Sequence, residues 1–162
     1  MKAWLINWIL FFLPASRFYS LKRSLLRFLG GEIGYGVRVM NIIIHGPTVN
    51  IGNDTFIGNE TIFSGGKSVV RIGRNCDISS RVAFVTGSHK IGTATRAAGE
   101  GYSKDIRIGD GVWIGFGSVI LPGVTIGNGC IIAAGSVVIS DIEENRMVAG
   151  VPAVEKRLLY VK

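Results

Sequence analysis

The sequence predicts an all-β chain, a parallel β-helix built in six-residue steps behind an N-terminal helical segment. Three observations predict it. An aliphatic residue returns every sixth position from Ile108 through Ile114, Ile120, Ile126 and Ile132 to Val138. Small or β-branched residues form a second column, at Val112, Ser118, Val124, Cys130 and Ser136. Glycine forms a third, at 111, 117, 123, 129 and 135. A step of six is neither the two of a strand nor the 3.6 of a helix. It fits a short strand and a corner, repeated, with glycine supplying the positive φ that a tight corner requires. No single face can bury its apolar column alone. Three hexads per coil make a triangular prism in which like residues stack into one continuous core.

The elements follow in order. Residues 1–30 hold five basic groups (Lys2, Arg17, Lys22, Arg23, Arg27) and no acid, within a chain of net charge +7. The remainder is close to balanced, so the basic character belongs to the N-terminus and points to a membrane surface rather than to nucleic acid. The stretch AWLINWILFFL (3–13) has one polar residue, Asn7, and imitates a signal peptide. It is too short to span a bilayer, which takes about 20 apolar residues. Ser16 can cap a second helix running to about Leu29, with Gly30-Gly31 ending it. Phe18, Leu21, Leu25 and Phe28 or Leu29 would share one face, and Arg23 and Arg27 another with Lys22 beside them. That pattern suits an interfacial amphipathic helix, and equally a cap on the end of the β core.

Residues 31–143 are expected to form the repeat. Ile33 and Val39 are in phase, then Ile51, Ile57 and Phe63. Extra residues intrude around GGKSVV, after which Ile72, Ile78 and Phe84 continue. Residues of about 90–106, KIGTATRAAGEGYSKD and its flanks, read as a protruding loop. Residues 144–162 are expected to close the structure as a C-terminal cap. Cys76 and Cys130 fall in the inward small-residue column, outside any metal or disulfide spacing, and read as buried, reduced thiols.

The run IGDGVW-IGFGSV-ILPGVT-IGNGCI-IAAGSV resembles the hexapeptide-repeat acyltransferases. That resemblance, over about residues 33–157, implies a left-handed coil. GSHKIG (87–92), a looped-out stretch, IRIGDGVWIG (106–115) and MVAGVPAVEKR (147–157) are similar to the acetyl-CoA-dependent branch that includes galactoside, maltose and serine acetyltransferases. The hydrophobic, basic N-terminus resembles that of polysaccharide O-acetyltransferases.

The resemblance implies a catalytic role for His89 as general base, the side chain best poised to take a proton near neutral pH. It implies that the backbone N–H of Phe116 stabilises the oxyanion, where relatives carry Ser or Ala. Trp113, Gly115, Ala133, Ala134, Lys156 and Arg157 are the implied acetyl-CoA contacts. This chain reads Ile139-Ser140-Asp141 where relatives read Thr-Lys-Asp, which removes one cation from the phosphate site and leaves Arg146 as a substitute. Arg96, Glu100, Tyr102 and Lys104 are candidate sugar contacts; Asp77, Glu100 or a backbone carbonyl could orient the imidazole. His45 reads as structural or facing the cap. No metal is expected, because His45 and His89 are too few for the three-histidine zinc site of the β-helical carbonic anhydrases.

The implied activity is O-acetylation of a sugar hydroxyl in a bacterial polysaccharide or its lipid-linked precursor. It would be carried out by a homotrimer, in the cytoplasm and peripherally on the inner face of the plasma membrane. N-acetylation of an amino sugar or small amine, and a non-catalytic scaffold, are the alternatives.

Overall fold

The computed structural model describes residues 2–159. Helices α1 (Lys2–Phe12) and α2 (Tyr19–Phe28) lead into five triangular coils. The first coil joins Ile33 to β1 (Arg38–Val39) and β2 (Ile43–His45); the second is β3 (Thr48–Ile51), β4 (Phe56–Ile57) and β5 (Ile62–Ser64). The third is β6 (Val69–Ile72), β7 (Asp77–Ile78) and β8 (Ala83–Val85). A hairpin then leaves the prism as β9 (Gly87–Thr93) and β10 (Arg96–Ser103). The fourth coil is β11 (Ile106–Ile108), β12 (Trp113–Ile114) and β13 (Val119–Ile120); the fifth is β14 (Thr125–Ile126), β15 (Ile131–Ile132) and β16 (Val137–Val138). Ile142 and β17 (Arg146–Ala149) start a sixth turn, which β18 (Val154–Leu158) closes by pairing antiparallel to β17.

Like positions stack in parallel register on three faces. Face A carries Ile33, Ile51, Ile72, Ile108, Ile126 and Ile142. Face B carries Val39, Ile57, Ile78, Ile114, Ile132 and Val148. Face C carries Ile44, Phe63, Phe84, Ile120 and Val138. Apart from Ile142, which is partly buried, these side chains are buried. Phe63 and Phe84 stack with ring centroids 5.0 Å apart and planes 5° from parallel. In the first coil the phase slips by one. Six places after Val39 lies His45, but Ile44 points inward and His45 is exposed.

The second column is where polar groups enter the core, and each finds a carbonyl. Thr55 donates to Gly73 O at 2.7 Å, Ser118 to Ala133 O at 3.0 Å and Ser136 to Ala133 O at 2.6 Å. The free thiols of Cys76 and Cys130 donate to Gly109 O and Glu143 O. Burial, the largest cause, pushes both thiols above their ordinary pKa.

The N-terminal helices cover the open end of the prism. Asn7, the polar exception in its apolar run, pairs with Ile44 in both directions: its amide donates to Ile44 O and its Oδ1 accepts from Ile44 N–H. It thus occupies the free edge of β2. α2 begins at Tyr19, with Phe18 as N-cap at φ 57 and no side-chain cap bond, so Ser16 does not cap it. Its end follows the sequence: Gly30 N–H bonds to Arg27 O and Gly31 N–H to Leu26 O, a Schellman ending.

The charge distribution on α2 differs from the amphipathic expectation. Lys22 is fully buried, with its Nζ donating to Pro14 O, Ala15 O and Asn41 Oδ1, and burial pushes its pKa down. Arg23 and Arg27 reach Val37 O and Ile33 O of the first coil. Phe18, Leu21 and Phe28 are exposed, and so are Ser20, Ser24 and Arg27. Lys22 thus ties the link between the helices to Asn41, while Arg23 and Arg27 tie α2 to carbonyls of the first coil. Among the described residues, no helix is long and apolar enough to cross a membrane.

Two outcomes test this packing. Phe63→Ala removes half of the stacked pair and is expected to cost about 3–5 kcal/mol in urea unfolding. Neither thiol is expected to react with an aromatic disulfide reagent at pH 8 in the folded protein, and both should react once it unfolds.

Candidate active site

The corner between faces B and C holds the first group of residues. Trp113 faces outward from face B, half exposed, and walls a cavity of about 420 Å³ with Phe56, Asp77, Ile78 and Ser79. After Ile114 the chain turns through Gly115, Phe116 and Gly117. Gly115 N–H bonds to Ile132 O, and Phe116 O accepts from Gly135 N–H. Among the described residues nothing accepts the Phe116 N–H, and the residue is exposed. Ala134 repeats this one coil on, exposed and with a free N–H. An outward N–H at a rigid turn is a suitable donor to an oxyanion, because it needs no reorganisation when charge develops.

The reason for glycine at 115 lies inside the coil. A Cβ there would sit 2.5 Å from Ala134 N and 2.9 Å from Ile132 O. Gly73, Gly109 and Gly127 meet the next coil in the same way. The closeness of successive coils therefore suffices to require Gly115.

His89 lies at a different corner. The chain leaves face C after Thr86, and β9 and β10 pair with His89 opposite Gly101. The segment read from sequence as a loop is thus a hairpin. Its root is fixed by Lys104 N–H bonding to Thr86 O and by Asp105, which accepts from Val69 N–H at 2.9 Å and from Arg71 at 2.7 Å. The Val69 N–H, and then Arg71, hold the Asp105 carboxyl below the usual range. Beyond the root nearly every hairpin residue is exposed, Ile91 to 98%, so the hairpin projects without packing on the prism.

A cavity of about 510 Å³ is lined by His89, Thr93, Arg96, Ala98 and Glu100 among others. No described residue bonds to the imidazole. Glu100 is 2.6 Å from Lys90, and Asp77 belongs to face B, so neither orients His89 within this chain. Tyr102 lies under the Lys104 ammonium at 5.6 Å.

Face C therefore separates the two groups. Five residues of extended chain, 117–121, span about 16 Å at ~3.3 Å each. The geometry brings Trp113, Gly115, Phe116, Ala133 and Ala134 together along one edge and leaves His89 at another. Lys156 and Arg157 are exposed on β18, at the far end of face B. Arg146 is not free to replace the missing cation: Glu143 at 2.7 Å and Glu155 at 3.1 Å hold it.

The sequence reading passed over three residues on the Phe116 edge. Asn59 Oδ1 is buried with no partner among the described residues. Glu60 holds Arg81 at 2.7 Å, and the Arg81 guanidinium lies 5.7 Å from the centre of the Phe116 ring. The available signal was glycine's absence: Glu60 and Arg81 take φ of 58° and 60° where later coils use Gly117 and Gly135.

Residues 105–140 match the family described as bacterial transferase hexapeptide (six repeats). The galactoside O-acetyltransferase of Escherichia coli K12 is 41% identical over 108 residues, 67% of this chain and 53% of that protein. The chain spans about half the length of the curated relatives it matches. A hexapeptide-repeat acetyltransferase of Vibrio cholerae, solved with acetyl coenzyme A, superposes with a TM-score of 0.83 at 31% identity, covering 99% of this chain and 86% of that one. A maltose O-acetyltransferase of Clostridium difficile 630 superposes with a TM-score of 0.78 at 28% identity, covering 98% and 85%.

The structural reading of Gly115 has a direct check. Gly115→Ala forces a methyl against backbone and is expected to destabilise by about 1–3 kcal/mol in urea unfolding.

Proposed function

The chain belongs to the hexapeptide-repeat transferase family and is wound as a left-handed parallel β-helix, and on that premise we propose that it moves an acetyl group from acetyl-CoA to a glycan hydroxyl. The observation that carries the reading is the pair of unpartnered groups: an imidazole on a projecting hairpin, and a Phe116 N–H that no carbonyl uses. Each lacks a partner among the described residues of its own chain. A C3 trimer supplies one, with the hairpin of each copy lying against the Phe116 edge of the next.

His89 takes the proton of the acceptor hydroxyl as its oxygen bonds to the thioester carbonyl carbon. The charge that develops on the carbonyl oxygen is met by the Phe116 N–H. The C–S bond breaks, and the departing thiolate recovers the proton from the imidazolium. Trp113 walls the channel. The pantetheine arm of the donor runs along Ala133 and Ala134, whose small side chains leave it room, toward Lys156 and Arg157. Arg96, Glu100, Tyr102 and Lys104 face the acceptor from the hairpin.

The acceptor is a polysaccharide unit or its lipid-linked precursor, met at the inner face of the plasma membrane. Trp4, Trp8, Phe11 and Phe12 of α1, all more than half exposed, support that placement. Aromatic side chains of this kind favour the membrane–water boundary.

His89→Ala tests the reading. With a galactoside acceptor, thiol release from acetyl-CoA is expected to fall about 10²–10⁴-fold, with coenzyme A binding retained. Turnover that survives the substitution would remove His89 as the base.

A further inference from the structure

We infer that the edge from the α1 cleft past Arg81 to Phe116 binds a hydrocarbon chain ending in a phosphate, and so delivers a lipid-linked sugar to the reactive corner. The inference rests on the acceptor reading above and specifies how the acceptor is held.

Three features lie in sequence along this edge. At its start, α1 and the first coil enclose a cleft of about 580 Å³ walled by Trp4, Trp8, Phe11, Ile42 and Ile43, with Glu60 among its lining residues. Its volume lies within the range of ligand pockets, and its lining is apolar. One coil above Glu60 sits Arg81, and one coil above that sits Gly117, with Phe116 beside it and its ring centre 5.7 Å from the Arg81 guanidinium. At ~4.8 Å per coil, the distance from the cleft mouth to Phe116 is about 10 Å. A phosphate and one sugar ring fill such a gap.

Arg81 is set up for that phosphate. Its Nε donates to Glu60 at 2.7 Å, which fixes the plane of the guanidinium. Both terminal nitrogens are without a partner among the described residues. A guanidinium anchored through Nε presents a two-pronged donor suited to phosphate. Glu60 and Arg81 also hold left-handed backbone, which a residue with a Cβ adopts at some cost. Glycine fills the same corner in the two coils beyond.

Free apolar chains and free sugar phosphates each satisfy only part of this track; a chain-linked phosphate satisfies both. Donor and acceptor then approach Phe116 from opposite ends of one edge, the donor from the fifth coil and the acceptor from the first.

The test is calorimetric titration of the full chain with three probes, each below any micelle concentration: dodecyl phosphate, dodecyl maltoside and glucose 1-phosphate. Dodecyl phosphate is expected to bind at least 10-fold more tightly than either other probe. Arg81→Gln should bring it down to the level of dodecyl maltoside. Trp8→Ala, with Trp4→Ala as a second variant if helix content drops, should weaken both dodecyl probes and leave glucose 1-phosphate unchanged. Equal binding of dodecyl phosphate and dodecyl maltoside, indifference to Arg81→Gln, or glucose 1-phosphate binding as tightly would each overturn the inference. His89→Ala should bind dodecyl phosphate as the parent does. Acetylation of a soluble galactoside without dodecyl phosphate binding sinks this inference alone. Arg81-dependent binding without any acetyl transfer sinks the enzymatic reading alone.

Discussion

Each coil must close on the one before it with inward side chain over inward side chain. Backbone hydrogen bonds between coils set the spacing at about 4.8 Å, and nothing inside the prism can alter it. Much of the sequence follows from that. An inward residue has to stack on another apolar one, most often isoleucine over isoleucine on face A, with Phe63 flat on Phe84 on face C. An inward polar group has to find the carbonyl of the adjoining coil, as Thr55, Ser118, Cys76 and Cys130 do. A residue where coils nearly touch can have no side chain, as at Gly115.

The same closure confines variation to corners. Face strands have their backbone groups committed to neighbouring coils. At a corner the chain turns outward, and some N–H groups, those of Phe116 and Ala134 among them, remain unpaired. A corner can also admit a long insertion without disturbing the stack, and the hairpin carrying His89 enters at one. The chemistry therefore sits where the repeat leaves freedom. The imidazole and the N–H occupy different corners of one chain, which is why the proposed site needs two copies. The N-terminal end shows the complementary problem. There the first coil has no predecessor, and Asn7, Arg23 and Arg27 supply what a previous coil would have bonded.

The periodic part was legible in the sequence because the stacking rule acts on every sixth residue. The columns from Ile108 to Val138 and the places of Cys76 and Cys130 follow from it directly. Ile44 lies outside the six-residue count because one shortened corner shifts the phase, so the counted place falls to the exposed His45. The hairpin was read as a loop because its strands are glycine- and alanine-rich and exposed on both faces, so no alternation marks them. Helical periodicity cannot tell that Lys22 is buried: the carbonyls of the link at Pro14 and Ala15, with Asn41, draw it in, while Arg23 and Arg27 reach over to the first coil. Among site residues, sequence placed Phe116 and His89 at corners through resemblance. Gly115 was assigned to the cofactor although coil contact suffices to explain it. Glu60 and Arg81 show only as missing glycines at a corner, a weak signal, and Asn59, with a single orphaned carbonyl, shows only in three dimensions.

The claim that a working site needs the hairpin of one copy and the edge of another can be tested by mixing two defective chains. One carries His89→Ala; the other carries Phe116→Pro, which removes an N–H that the fold does not use. Acetyl transfer is measured on assemblies formed by refolding them together. If the site spans two copies, random mixing rebuilds about a quarter of the sites and restores turnover that neither chain has alone. If mixed assemblies form and remain as inactive as their parents, both groups act within one chain and the account is wrong.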